Sequence, residues 1–340
     1  MQTITEDALK QAWHRLAAGS DLLDEAVFPP TGTSYEQYED HAEEDGYAGL
    51  YLVLEEDGTV CGYHGPHDNA FIARDLDETL YFLAEEAVRG LDATVVGQAA
   101  LMDRIDPAWG RSFRGGGTDG TEPAPLCGRD PLEGFAWISG SWREQAPYTS
   151  LEFFRGENVS AERIALLYGA DPQHVAAGTR LADLSEGNGG TYDNLLTDWD
   201  SCCFGQSGDW TFLMYHETAP GTRVDAAAFA ELGVTETVEL SACLGKAIYT
   251  FDYMRDGHRV DDDGITELIY YDRGRTPYLR GGQLDFLNRA LRRAELDHPE
   301  LTDEFALYFH ALETSLGLSL PRKEIAEGTV RAARWARREG

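Results

Sequence analysis

Apolar positions along this chain alternate between helical and strand periods. The first run is helical: Ile4, Ala8, Leu9, Ala12, Trp13 and Leu16 recur every three to four residues. Thr3 and Glu6 have capping-box spacing, and Gly19 suits the stop. The pattern breaks at Pro29-Pro30, and residues 35–45 are acidic and punctuated by tyrosine. Residues 47–54 predict a strand, Glu56-Asp57-Gly58 a hairpin turn, and residues 60–64 the partner strand. His64-Gly65-Pro66-His67-Asp68-Asn69 predicts a loop, followed by a short strand over 71–74. Helical period returns after Asp75 or Asp77, either of which can cap, and runs to about Val88 with Leu76, Leu80, Leu83 and Ala84 on one face. A further helix is expected over 95–105, ending near Pro107–Trp109.

Between residues 111 and 130 neither period continues. Arg114-Gly115-Gly116-Gly117, Asp119-Gly120 and Pro123-Ala124-Pro125 mark the best candidate linker. Beyond it, residues 150–155 predict a strand. Ser160 starts a helix through Leu167 that stops at Gly169, before Asp171-Pro172. Gly208-Asp209-Trp210-Thr211-Phe212 predicts another strand. Residues 238–243, 247–255, 258–260 and 265–271 read as an antiparallel meander, with Asp256-Gly257 as a hairpin turn. Helices are expected over 283–296 and 302–316, the latter capped by Thr302 and stopped by Gly317. The tail from Arg322 to Arg338 is helical in pattern, with six basic and two acidic residues. Its two readings are a solvated terminal helix on an acidic body and a docking arm. The resulting fold class is α+β: two modules, each an antiparallel sheet packed with helices. The boundaries are 1–110 for the first module, 111–147 for the linker, 148–320 for the second module and 321–340 for a basic helix or tail.

Composition and charge narrow the function. The chain has 340 residues, of which 42% are hydrophobic and 11% aromatic, a globular balance. No apolar run reaches the roughly 18–20 residues of a membrane span. The N-terminus lacks the basic and apolar regions of a secretory signal, so a cytoplasmic location is expected. The formal net charge is −32. That disfavours nucleic acid, whose phosphates would be repelled, and attracts a basic partner. Plain solubility is the other explanation. The charge is uneven: residues 1–110 hold 23 acids and 5 bases. Three lysines stand against 25 arginines, a bias that a GC-rich genome explains as readily as function does. Five cysteines, Cys61, Cys127, Cys202, Cys203 and Cys243, are odd in number and irregular in spacing. They indicate neither a disulfide framework nor a zinc site. Adjacent Cys202 and Cys203 read as small buried strand residues, with a redox pair as the alternative.

Two stretches resemble known families. Asp75-Leu76-Asp77-Glu78 opening a helix, with Ile105-Asp106-Pro107-Ala108-Trp109 behind it, resembles the immunity protein 63 family of bacterial polymorphic toxin systems. The resemblance covers roughly residues 35–115. Phe154-Arg155-Gly156, a helix ending before Gly169-Ala170-Asp171-Pro172, and Gly208, Trp210 and Thr211 resemble the bacterial domain of unknown function 6461 family, over about residues 148–320. That family's Glu-Pro-Asn-Gly turn is replaced here by His216-Glu217-Thr218-Ala219-Pro220-Gly221. The first resemblance implies a non-enzymatic protein that binds and neutralises a cognate toxin; the second implies no known activity. The expected contact surface is acidic: Glu36, Glu39, Asp40, Glu43, Glu44 and Asp45 as a steering field, Tyr35, Tyr38 and Tyr47 as anchors, with His64 and His67 as further contacts; the alternative is a solvated acidic turn with the tyrosines partly in the core.

The alternative is a metal-dependent hydrolase or small-ligand-binding protein using His64, His67 and Asp68. Gly65-Pro66 prevents the two histidines from sharing a helix face, which leaves only a loop site. The other chemistry-bearing patterns are incomplete. Gly115–Gly117 lacks the Lys-Ser/Thr of a phosphate loop. Gly205-Gln206-Ser207-Gly208 is one residue short of a nucleophile elbow. Asp261-Asp262-Asp263-Gly264 lacks the spacing and final Glu of a calcium loop. No catalytic residue, metal or cofactor is assigned.

Overall fold

The computed structural model describes residues 4–39, 49–65, 68–114, 134–139, 149–184, 200–216, 219–220, 226–243, 248–260 and 283–336. Among these residues the architecture is α+β, with a four-stranded and a seven-stranded sheet packed with helices. The chain divides into two compact units: Met1–Leu126 with Tyr271–Pro299, and Cys127–Tyr270 with Glu300–Gly340. This differs from the consecutive modules expected from sequence. The helix Asp285–Asp297 belongs to the first unit, because its Leu296 packs on that unit's core. The proposed linker is also shorter than 111–147. Its first residues finish the helix Pro107–Phe113, capped by Asp106, and Phe135, Ala136 and Ile138 are buried in the second unit.

In the first unit the strands are β1 (Thr31–Gly32), β2 (Tyr51–Leu54), β3 (Val60–Gly65) and β4 (Asp68–Ala73), in that spatial order. β1 runs parallel to β2, and the other pairings are antiparallel. Alternation along β2 sends Leu52 to one face and Tyr51 and Val53 to the other. The Leu52 face packs with the helices Glu6–Ala18, Leu76–Leu91 and Val95–Ile105 through Leu9, Trp13, Phe71, Phe82, Val88 and Met102. Phe71 and Phe82 stack at 4.6 Å. Gly62, opposite Phe71 in register, makes room for that ring: a Cβ there would lie 2.6 Å from it. The long helix starts at a reciprocal cap, in which Asp75 accepts from the Glu78 N–H and Glu78 accepts from the Arg74 N–H, each at 2.8 Å. Thr5, not Thr3, caps the first helix.

In the second unit the antiparallel sheet has the order β10-β9-β8-β5-β7-β6-β11. The strands are β5 (Thr149–Gly156), β6 (Ser201–Ser207), β7 (Trp210–His216), β8 (Val234–Cys243), β9 (Ile248–Arg255), β10 (His258–Arg259) and β11 (Arg331–Arg334). One face packs with the helices Ala161–Leu167 and Pro172–Ala177 through Phe154, Ile164, Val175, Phe204 and Leu213. Phe153 and Trp210 belong to the other face. There Phe135 stacks on Phe309 at 4.6 Å, and the Trp210 indole N–H donates to the Leu316 carbonyl at 2.8 Å. The helix Glu304–Leu316 is capped by Asp303 and ends at left-handed Gly317. The C-terminal tail corrects the helical expectation. Among the described residues of the tail only Arg322–Ala326 is helical, and Arg331–Arg334 is an edge strand against β6. Small side chains meet across that pairing, Ala332 with Cys203 and Ala333 with Cys202. The two cysteines are buried strand residues, as their sequence context suggests. The expected strand over 265–271 lies outside the described residues.

Candidate functional site

Residues 35–39 form a helical turn. It starts at Ser34, whose hydroxyl accepts from the Gln37 N–H at 3.4 Å. The turn covers the β2 face that the long helices leave open. Tyr38 is 1% exposed, stacks on Tyr63 at 5.7 Å and lies 5.3 Å from Tyr51, while Tyr35 meets Tyr63 edge-on at 5.1 Å. Tyr51 and Tyr63 are cross-strand partners, so four rings close this side of the sheet. Burial pushes the Tyr63 hydroxyl up to about 12, and Cys61 adds to the shift. This corrects the role expected of Tyr38: it is a core residue holding the turn, not a contact anchor. Tyr35 is only partly exposed, whereas Glu36 and Glu39 are exposed. Asp40, Glu43, Glu44, Asp45 and Tyr47 lie outside the described residues.

His64 and Asp68 do not sit on an open loop. Both belong to strands of a tight hairpin, with Gly65 paired to Asp68. His67 lies outside the described residues. His64 Nε2 is 3.1 Å from Glu86 Oε2 on the Leu76–Leu91 helix, and both side chains are largely buried. Arg89 also pairs with Glu86, and Arg292 pairs with Glu85 at 2.9 Å while covering the Phe113 ring at 4.1 Å. Burial, the largest single influence on the Glu86 carboxyl, raises it. The hydrogen bond from His64 and the Arg89 charge together outweigh burial, so the net value lies below the ordinary carboxylate range. The sequence reading missed this chain of ion pairs, because its Arg292 is more than 200 residues from Glu85 along the chain.

The second unit handles a buried acid differently. Glu152, in the middle of β5, accepts from the Tyr215 hydroxyl at 2.5 Å and from the Tyr168 hydroxyl. Its neighbour in register on β8 is Glu239, whose own neighbour on β9 is Asp252. Burial and the Glu239 charge raise the Glu152 carboxyl to about 8, against the opposing pull of the two tyrosines. Glu152 is therefore a neutral acid at neutral pH. Glu239 reaches solvent but stands in a crowded setting. That partial desolvation, with the Asp252 charge, raises it too. Asp252 is held by Arg259 at 3.1 Å. The signal in the sequence was a lone Glu inside an apolar strand, Leu151-Glu152-Phe153-Phe154, but it was hidden by the abundance of acids elsewhere.

A cavity of about 450 Å³ opens at the ends of these strands. Glu157, Phe229, Ala230, Gly233, Val234, Thr235, Thr237, Met254, Asp256 and Gly257 line it. Comparison with protein-family models, with curated proteins and with solved structures finds no match. Among the described residues, no three His, Cys, Asp or Glu side chains group in a way that would hold a metal ion. Among the described residues, no helix is long and apolar enough to cross a membrane.

Proposed function

We propose that this chain is a non-enzymatic binding protein of the immunity type, which captures and neutralises a basic protein toxin. The observation that carries the reading is the acidic turn at 35–39: Tyr38 is locked among Tyr35, Tyr51 and Tyr63, and Glu36 and Glu39 on the same turn are exposed. A charged surface on a fixed backbone binds with less ordering entropy lost than one on a loose loop. The net charge of −32 supplies the long-range attraction for a basic partner. The titratable groups with the strongest internal ties are engaged within the fold. Glu152 is held by two tyrosines, Glu86 by His64 and Arg89, and Glu236 by Arg155 and Tyr253. That pattern suits a rigid scaffold.

The resemblance of roughly residues 35–115 to immunity proteins points the same way and selects the partner class. The test is protection in cells. Genes neighbouring this chain's gene are screened for secreted toxins, each candidate is expressed with and without the chain, and growth is scored. Rescue is the expected result, and it should be lost with Glu36→Lys/Glu39→Lys at unchanged protein level. Growth arrest despite abundant folded chain overturns the reading.

A further inference from the structure

The cavity at the ends of β5, β8 and β9 has a composition of its own. Its walls are built by a close backbone approach. A Cβ on Gly156 would lie 1.9 Å from the Gly233 carbonyl oxygen, and a Cβ on Gly233 would lie 2.5 Å from the Glu157 carbonyl oxygen. Gly233 also has φ +75. Two glycines are therefore needed to let β5 and β8 close at this end. Two residues here are left-handed: Asp256 in the lining, at φ 52, and Asn158 next to the lining residue Glu157, at φ 60. The Asp256 N–H donates to the Thr235 carbonyl at 2.7 Å, fixing the β9 turn against β8. The interior is apolar, with Phe229 and Met254, and Phe229 is in turn packed on Phe154 at 5.5 Å. Exposed Glu157 and Asp256 are among the lining residues, and no described Lys, Arg or His is.

The volume of about 450 Å³ lies within the range of small-molecule sites. An apolar floor selects an apolar body, and the carboxylates of Glu157 and Asp256, the latter also facing Arg255, favour a positive charge. We propose that this cavity binds a small organic cation, an ammonium or guanidinium group carried on an aromatic or branched aliphatic body. The ring of Phe229 and the thioether of Met254 take the body, and Glu157 and Asp256 take the charge at the mouth. The site stands apart from the partner-binding reading, since that rests on residues 35–39 of the other unit.

The test titrates the full chain with phenethylammonium and, separately, with its neutral counterpart 2-phenylethanol, by calorimetry or protein-observed NMR. The cation should bind with a Kd of about 1 mM or tighter, and the alcohol about tenfold more weakly. Asp256→Asn keeps a residue that tolerates the left-handed turn. Together with Glu157→Gln it should weaken the cation by about tenfold and leave the alcohol unchanged. Thr237→Phe should fill the cavity and abolish both. Should that variant fail to fold, chemical-shift changes confined to Phe229, Thr237 and Met254 on adding the cation make the same point. Equal binding of cation and alcohol overturns the proposal. So does an equal loss of cation binding from Glu36→Gln/Glu39→Gln, which would assign the attraction to the overall charge of the chain. No saturable binding at either ligand's solubility limit overturns it as well.

Discussion

Glu86 in the first unit and Glu152 in the second are both carboxyls withdrawn from water, yet they end in opposite states. Around Glu86 the partners are His64 and Arg89, so the charge is retained and the carboxyl falls below its usual range. Around Glu152 the partners are two tyrosine hydroxyls with a second acid, Glu239, alongside, so the proton stays on. Hydroxyl donors stabilise a carboxylate, but by less than desolvation and a like charge oppose it. What decides the state of a buried acid is whether a cation lies in contact with it.

The contrast is sharpest in how stability responds to pH. Glu152 holds its proton up to about pH 8 when folded, against an ordinary value of 4.5. Between those pH values the folded chain binds more protons than the unfolded chain, so the contribution is full below about 4.5 and is lost as pH rises towards 8. The loss amounts to up to about 5 kcal/mol. Denaturant unfolding of wild type and Glu152→Gln from pH 5 to 9 checks this: the variant should lose the slope and gain relative stability above pH 8. Glu86 has the opposite sign. Its lowered value adds stability above the ordinary 4.5 that disappears as pH falls through the folded value. Glu86→Gln should therefore flatten the acid limb and leave the alkaline limb alone.

Tyr38→Ala should destabilise the chain by about 3–5 kcal/mol, as for other large-to-small core changes. A loss under about 0.5 kcal/mol in urea unfolding would return Tyr38 to the surface. Arg292→Met leaves Glu85 to its longer 3.7 Å pair with Arg89 and should cost about 2 kcal/mol. Retention of full stability would detach that helix from the first unit. Last, His64→Ala removes one hydrogen bond to a carboxylate that Arg89 still holds, and should cost about 1–2 kcal/mol by the same measurement.

Much of this fold was legible in local patterns. The helices near residues 76–91, 95–105 and 304–316, the β2–β3 hairpin and the β8–β9 meander all follow from period and turn chemistry. What stayed hidden depends on distant neighbours. Arg331-Ala332-Ala333-Arg334 has helix-forming residues and becomes a strand because β6 offers an edge lined by small side chains. Tyr38 lies in an acidic stretch that reads as surface, and it is buried because β2 and β3 place Tyr51 and Tyr63 beneath it. The Asp285–Asp297 helix has ordinary amphipathic periodicity, which says nothing about which core it joins. Of the candidate site, the sequence correctly marked Glu36 and Glu39 as exposed acids. It misassigned Tyr38, and it placed His64 both at the end of the strand 60–64, where the structure has it, and in the loop that follows.

The central claim is that Glu36 and Glu39, set on a turn fixed by Tyr38, steer a basic partner to this chain. Its most direct test is the association rate with a basic toxin identified by the protection assay, measured by stopped flow from low to high ionic strength. Glu36→Lys/Glu39→Lys should slow association by about tenfold at low salt, and the difference should shrink as salt rises. Unchanged association at every salt concentration, with binding intact, would contradict the claim.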